Sequence, residues 1–145
     1  MNHLEIRFSA LLENVGFART SVASFVSSLN PTIDELQEIK TVVSEAVSNA
    51  IIHGYKLNGS RDVFLKVFIR KRKVEIIVQD YGVGIKDIKE ALENSYSTEK
   101  ENEHAGMGFT IMKTLTDSFE VKSYPGLGTK LIMFKELTSV TEEVI

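Results

Sequence analysis

The chain contains no cysteine. That excludes a disulfide scaffold, a thiolate metal site and a cysteine nucleophile, and it fits a reducing compartment. Its three histidines come without a carboxylate cluster at ligand spacing, which argues against a zinc site. Long apolar runs are missing as well, since none approaches the roughly 20 residues needed to span a bilayer. Met1 leads into a polar, alternating segment rather than an apolar stretch of signal-peptide type, so a cytoplasmic protein is expected. Basic charge is not in excess: 17 Lys and Arg stand against 20 Asp and Glu, a net charge of −3, which argues against a general nucleic-acid binder. The one basic cluster, Arg70-Lys71-Arg72-Lys73, lies between two strand-like runs and reads as a solvated hairpin turn. There is no internal repeat, low-complexity tract or Pro/Gly-rich linker at which to divide the chain.

What is present is the balance of an ordinary globular protein, 43% hydrophobic and 26% charged over 145 residues. The length suits a single domain that buries roughly two-thirds of its unfolded surface. The expected unit spans residues 1–137, with a short tail over 138–145.

Leu4, Ile6 and Phe8 alternate with polar residues and predict a first strand. Val15, Ala18, Val22, Phe25 and Leu29 then recur at helical spacing, until Asn30-Pro31 ends the helix. Thr32 followed by Glu35 predicts a capping box opening a second, long helix that runs to about His53-Gly54. Val63, Leu65, Val67 and Ile69 alternate, as do Val74, Ile76 and Val78 across the basic turn. A short helix follows near Asp87–Glu93, then a polar stretch from Asn94 to Ala105, and Gly106 opens another helical pattern through Ile111, Met112 and Leu115. Phe119 and Val121, a Pro125-Gly126-Leu127-Gly128 turn, and a strand with Lys130, Ile132 and Phe134 close the chain. This order predicts an α+β two-layer sandwich, a mixed, mainly antiparallel sheet covered on one face by helices. A four-stranded sheet of this kind would turn Phe64 and Phe68 to the uncovered face.

Three places break the pattern. On the second helix, Glu38, Glu45 and Asn49 fall within roughly 40° of one another, apart from the arc of Ile39, Val43, Ala46, Val47 and Ala50. Read alone, the group suits the wet side of a helix; read for chemistry, Asn49 offers a neutral oxygen to a hard cation such as Mg²⁺, and Glu45 can accept a proton. Counting by twos from Val74 puts Asp80 on the apolar face of its strand, with Gly82 and Gly84 immediately after. A carboxylate entering an apolar layer is costly unless paired, and a glycine shelf beside it suits a planar ring carrying an exocyclic amine, such as adenine. An Asp-led turn is the plainer alternative. Finally, Gly106-Met107-Gly108-Phe109 begins a helix, where open backbone N–H groups attract anions such as phosphate. The polar stretch before it, with Ser97 and Thr98, has the composition of a lid.

Taken in order, these features resemble the ATP site of the GHKL superfamily (gyrase, heat-shock chaperone, histidine kinase, MutL), whose Bergerat fold is the sandwich just described. The Glu45–Asn49 helix resembles its N box; Asp80-Tyr81-Gly82-Val83-Gly84 and Gly106-Met107-Gly108 resemble its two glycine boxes; Gly128-Thr129 is similar to its late threonine site. More closely, Phe8-Ser9-Ala10, Phe17-Ala18-Arg19, the run from Glu38 to Val47, Asn49-Ala50-Ile51-Ile52-His53-Gly54-Tyr55 and Gly106 to Met112 resemble the anti-sigma-F factors of spore-forming bacteria. The resemblance covers nearly the whole chain up to about Leu137.

It implies a homodimeric protein serine kinase that is also an anti-sigma factor. Such a protein would hold a sporulation sigma factor inactive with ATP and Mg²⁺ bound, and would phosphorylate a serine of an anti-anti-sigma protein. No nucleic acid or membrane is implied as a direct partner. Residue by residue, Glu45 would be the general base, Asn49 would hold Mg²⁺ and Asp80 would accept the adenine amino group. Gly82, Gly84 and Thr129 would line the adenine. Ser97, Thr98, Lys100, His104, Gly106, Met107, Gly108 and Phe109 would gather around the phosphates. Arg19 and Glu13 would meet the protein partners. The sequence departs from the family pattern where Glu99 directly follows Ser97-Thr98 and where His104 replaces an arginine, so fixed positive charge is lost near the γ-phosphate. Two alternatives stay open: an ATP-dependent sigma-binding module with little kinase activity, and a stress-response anti-sigma kinase.

Overall fold

The computed structural model describes residues 1–93 and 107–138. Five strands form one sheet in the order β1-β2-β3-β5-β4, with β1 at Asn2–Ser9, β2 at Asp62–Arg70, β3 at Lys73–Asp80, β4 at Ser118–Tyr124 and β5 at Gly128–Glu136. The four-stranded expectation is corrected by β1, which pairs along its whole length with β2, from Asn2 opposite Ile69 to Ser9 opposite Asp62. Every described pairing is antiparallel. Two of these pairs are hairpins, β2–β3 and β4–β5, and tight turns can join strands only in that sense.

The helices are α1 at Val15–Val26, α2 at Ile33–Asn49, α3 at Ile88–Glu93 and α4 at Gly108–Leu115. On the sheet side facing them, Val63, Leu65, Val67, Val74, Ile76 and Val78 are buried, as are Leu131 and Met133 of β5. Ala18, Val22, Val26, Ile39, Val42, Val43, Ala46 and Val47 close the core from α1 and α2. The stripe that the sequence places on α1 is thus the buried one. Asn30 ends it in a left-handed conformation (φ 50°), as a helix-terminating Asn readily does. On the other sheet face, Phe64, Phe68, Ile77 and Phe134 are only half-covered.

α2 starts at the predicted capping box. Thr32 Oγ1 accepts from the Glu35 amide at 3.0 Å, while Glu35 Oε1 accepts from the Thr32 amide at 2.9 Å. The Glu35 carboxylate does more than cap, because Oε2 also accepts from the Thr138 amide at 2.7 Å. Arg72 completes this clamp by donating to the Thr138 carbonyl at 2.6 Å, and its own carbonyl accepts from the Leu137 amide. The basic turn is therefore not solvated throughout: Arg72 holds the end of β5, and Lys73 lies 4.4 Å from the Phe134 ring centre. At the other end, α2 does not stop at Asn49 but widens into a π turn over Ala50–Gly54, with the Tyr55 amide reaching the Ala50 carbonyl at 2.9 Å. Glu38 pairs with Lys135 at 2.6 Å, and Lys135 also donates to the Leu115 carbonyl in the last turn of α4. A cation there complements the negative end of that helix.

Burial by itself would raise the Glu35 pKa, but the Thr32 and Thr138 amides and hydroxyls together outweigh it and hold the carboxyl below its ordinary value of 4.5. A depressed carboxylate contributes stability that is fully present above the unfolded value and is lost as pH falls through the lower folded one. Thr32→Ala is expected to cost about 1 kcal/mol at neutral pH. The destabilisation of Glu35→Gln should shrink as the pH is lowered below 4.5, the ordinary carboxyl value. Thermal melts of both variants from pH 7 to pH 3 check this, and a Glu35→Gln deficit that stays constant with pH would contradict it.

Candidate functional site

Asp80 is the last residue of β3, and the alternation that buries Val74, Ile76 and Val78 carries it into the same layer, where it is 3% exposed. Its Oδ1 accepts from the Gly82 amide at 2.9 Å. Burial pushes the carboxyl pKa up; the Gly82 and Thr129 amides and the Arg61 charge pull it back without cancelling the rise. Among the described residues no cation stands within ion-pair distance of Asp80, and the Arg61 charge acts on it from further away. A carboxylate so placed is poised to accept from a ligand's N–H.

Close approach of backbone makes room beside it. A Cβ on Gly54 would come within 2.6 Å of Asp80 Cγ, and one on Gly82 would overlap the Gly54 carbonyl. The absence of both lets the Val83 amide bond to the Gly54 carbonyl at 2.9 Å, which stitches the glycine segment to the end of α2. Gly84, at φ +73°, turns the chain under the β4–β5 hairpin, where the Gly126 amide meets the Val83 carbonyl at 2.7 Å. Thr129 faces Asp80 across the ladder and is itself buried. Its hydroxyl lies 2.7 Å from Ser123 Oγ, which also bonds to the Gly128 carbonyl and accepts from the Ile85 amide.

Glu45 and Asn49 lie one turn apart on α2, both half-buried. α4 packs against α2 with its N-terminus at Gly108, where an added Cβ would lie 3.2 Å from Glu45 Oε2. Glycine there lets the carboxylate rest beside the first turn of α4. Met107 precedes that turn and is exposed, whereas the Phe109 side chain turns inward and packs on Phe119 with ring centres 5.7 Å apart. Phe109 thus anchors the helix, and any contact with a ligand falls to its backbone. Ser97, Thr98, Lys100, His104 and Gly106 lie outside the described residues. Among the described residues no group of three or more His, Cys, Asp or Glu could hold a metal ion. A Mg²⁺ carried largely by phosphate oxygens and water needs only one or two protein ligands, so a single amide such as Asn49 fits the ion.

The family described as histidine kinase-like ATPase domain matches residues 8–135. Solved structures share the fold: the histidine kinase domain of a blue-light activated kinase from Erythrobacter litoralis superposes with a TM-score of 0.58 at 18% identity, over 85% of this chain and 61% of that one. The catalytic domain of the histidine kinase ThkA gives 0.57 at 14% identity, over 95% and 97%. In sequence, the anti-sigma F factor of Clostridium perfringens (strain SM101) is 48% identical over 138 residues, 95% of this chain and 99% of its own. That of Oceanobacillus iheyensis is 49% identical over 137 residues, 94% of each. The chain belongs to the anti-sigma F factor family.

Its Arg19 and Glu13 belong to α1 and the turn before it. Arg19 projects from α1 and donates to Ser44 Oγ at 3.1 Å, one residue before Glu45. Glu13 is exposed in the turn before α1, near the exposed Leu11, Leu12 and Phe17. Three residues around Asp80 were given no role from sequence: Tyr55, which enters only within the run that carries the resemblance, Arg61 and Ser123. Tyr55 follows the glycine that ends the α2 extension, its hydroxyl accepts from the Tyr81 amide at 2.8 Å, and it donates to the Asp62 carbonyl at 2.6 Å. Burial pushes that phenol's pKa up, so it remains protonated. Nothing in local periodicity flags these three, because each acts on a segment distant in the chain.

Since the folded pKa of Asp80 lies above the unfolded one, the folded state binds the proton more strongly, and stability is lost as pH rises through the folded value. Asp80→Asn keeps an acceptor for the Gly82 amide and removes the buried charge. In the absence of ligand, this variant should melt no lower than the parent at pH 7. Its advantage should vanish near pH 4. Paired thermal melts decide the matter, and a lower midpoint at pH 7 would mean the carboxylate serves the unliganded fold.

Proposed function

We propose that this chain binds ATP with Mg²⁺ between Asp80 and the first turn of α4, and that it is a protein serine kinase acting as an anti-sigma factor. The observation that carries the reading is Asp80, buried and with no ion-pair partner among the described residues, beside a glycine segment and the end of the helix extension that follows Glu45 and Asn49. Support for the biological role comes from the relatives, which are anti-sigma F factors over nearly their full length.

In this reading Asp80 accepts the exocyclic amine of adenine, and Gly82 and Gly84 leave its ring a flat backbone floor. Asn49 holds Mg²⁺. Bound ATP supplies the phosphoryl group and a good leaving group. The N–H groups at the start of α4, where Met107 and Gly108 stand, bind the phosphate oxygens, and the family resemblance gives Gly106, Ser97, Thr98, Lys100 and His104 to the same phosphates. Glu45 takes the proton of the target serine as its oxygen bonds to the γ-phosphorus and the bond to the β,γ-bridging oxygen breaks. Positioning and charge stabilisation do most of the catalysis. The serine belongs to an anti-anti-sigma protein, the inhibited partner is a sporulation sigma factor, and Arg19 and Glu13 belong to the surface that meets both. The protein works in the cytoplasm.

A second reading keeps ATP and sigma binding but little phosphotransfer; Glu99 and His104, where the family carries positive charge, favour it. Incubation with γ-labelled ATP and an anti-anti-sigma protein separates the two. The parent should label the partner on serine, and Glu45→Ala should lower the rate by about 10²–10⁴-fold, the usual contribution of a general base, while nucleotide binding persists. No label with ATP binding intact would favour the binding module, and undiminished label in Glu45→Ala would remove Glu45 from the role of base.

The half-covered Phe64, Phe68, Ile77 and Phe134 on the sheet face away from the helices support a homodimer, since a second copy would bury them. Phe64→Asp together with Phe68→Asp should then convert a sedimenting dimer to monomer. A parent that sediments only as monomer at micromolar concentration would contradict the dimer.

A further inference from the structure

The ladder between β2 and β3 ends at Phe64 opposite Gln79. One step further would face Val63 with Asp80, and the next would face Asp62 with Tyr81. The strands do not close over that last pair. The Tyr55 hydroxyl sits between them, accepting from the Tyr81 amide at 2.8 Å and donating to the Asp62 carbonyl at 2.6 Å, so it bridges two groups that would otherwise bond to each other. Arg61 holds the same residue from the other side. Its guanidinium lies 5.0 Å from the centre of the Tyr55 ring and donates to the Tyr81 carbonyl at 2.8 Å. Both backbone groups of Tyr81 are therefore occupied by one stacked pair drawn from the end of α2 and the start of β2. The Tyr81 ring is fixed too, edge-on to Phe64 at 5.4 Å.

We propose that Tyr55 and Arg61 are positioning residues for base recognition: a phenol wedge and its stacked guanidinium hold β3 away from β2 just past Asp80, and this sets where the Asp80 carboxylate stands. The step rests on the reading of Asp80 as the adenine acceptor. The physical argument is geometric. Asp80 is joined to Tyr81 by one peptide unit, so a shift in the Tyr81 backbone is transmitted to the Asp80 backbone and to the Gly82 amide that orients its Oδ1. Without the phenol oxygen, the Tyr81 N–H and Asp62 C=O must either stay unpaired in a half-buried place or close directly, which draws β3 toward β2. Either outcome moves the acceptor by a fraction of an ångström to an ångström, and hydrogen bonds weaken steeply with angle and distance.

A positioning role differs from general support of the fold in what it affects. It should alter recognition of the 6-amino group and leave the rest of the nucleotide alone. The test compares Mg²⁺-ATP with purine riboside triphosphate, which lacks only that amino group, by calorimetric titration of the full chain. The parent should prefer ATP. Tyr55→Phe should weaken ATP roughly tenfold, the order expected for one disturbed charge-assisted hydrogen bond, and should leave the analogue within about twofold. Arg61→Gln, at an exposed side chain, should narrow the same preference and stands in for Tyr55→Phe if that variant folds poorly. In an Asp80→Ala background, Tyr55→Phe should change neither affinity. A preference that survives intact in both variants overturns the proposal, as does an equal loss for both nucleotides, which would mark ordinary structural support. A parent with no preference for ATP over the analogue would overturn the assignment of Asp80 itself, and the positioning role with it.

Discussion

Asp80 sits in the layer of the sheet that the helices cover, with valine and isoleucine behind it on the same strand, and pays the desolvation cost of a charge in that position. Other features of the site are arranged around this carboxylate. Gly54 must lack a side chain because the Asp80 carboxylate fills the space, and Gly82 must lack one because the Gly54 carbonyl does. Gly128 lies against the Asp80 backbone, and Thr129 faces it across the ladder. The end of α2, the glycine segment and the β4–β5 hairpin converge on one point in space, though they come from three separate parts of the chain.

The same helix that ends against Asp80 also carries Glu45 and Asn49, so in the proposed reading α2 would couple base recognition to the chemistry of the phosphate end. Its two ends are fixed by different means. Thr32 and Glu35 cap the start and tie it to Thr138, while the π turn at Ala50–Gly54 carries the backbone out to Val83. Between them, Glu38 reaches Lys135, which in turn holds the last turn of α4. A helix pinned at three points keeps Glu45 beside Gly108 in a constant geometry. Phosphoryl transfer by positioning requires such constancy more than any unusual reactivity of a side chain.

Much of this was legible beforehand, for reasons that differ by residue. Period-two alternation located β2 and β3 and, continued by one step, placed Asp80 on the covered face. The Thr32–Glu35 spacing located the start of α2, since a capping box is a local arrangement of four residues. Periodicity also gave the stripe of α1. Less was recoverable at the edges. A first strand was evident from Leu4, Ile6 and Phe8, but not that it adds a fifth member to the sheet, because pairing with β2 is a contact across more than fifty residues. The basic turn looked solvated because charge runs usually are, yet Arg72 closes on Thr138, some 66 positions later.

What the sequence determined by itself was therefore the content of each element and the placement of the candidate groups: an apolar-face Asp, a Glu and an Asn one helical turn apart, and glycines where backbone must come close. Those follow from local rules of period and conformational freedom. Only the tertiary structure decided the wedge of Tyr55 between Asp62 and Tyr81, the Arg61 stack behind it, the Ser123–Thr129 pair and the Glu35 clamp. They join groups from different elements or opposite sides of a turn, through side chains whose local pattern is unremarkable, and such pairings are fixed by packing in three dimensions rather than by spacing in one.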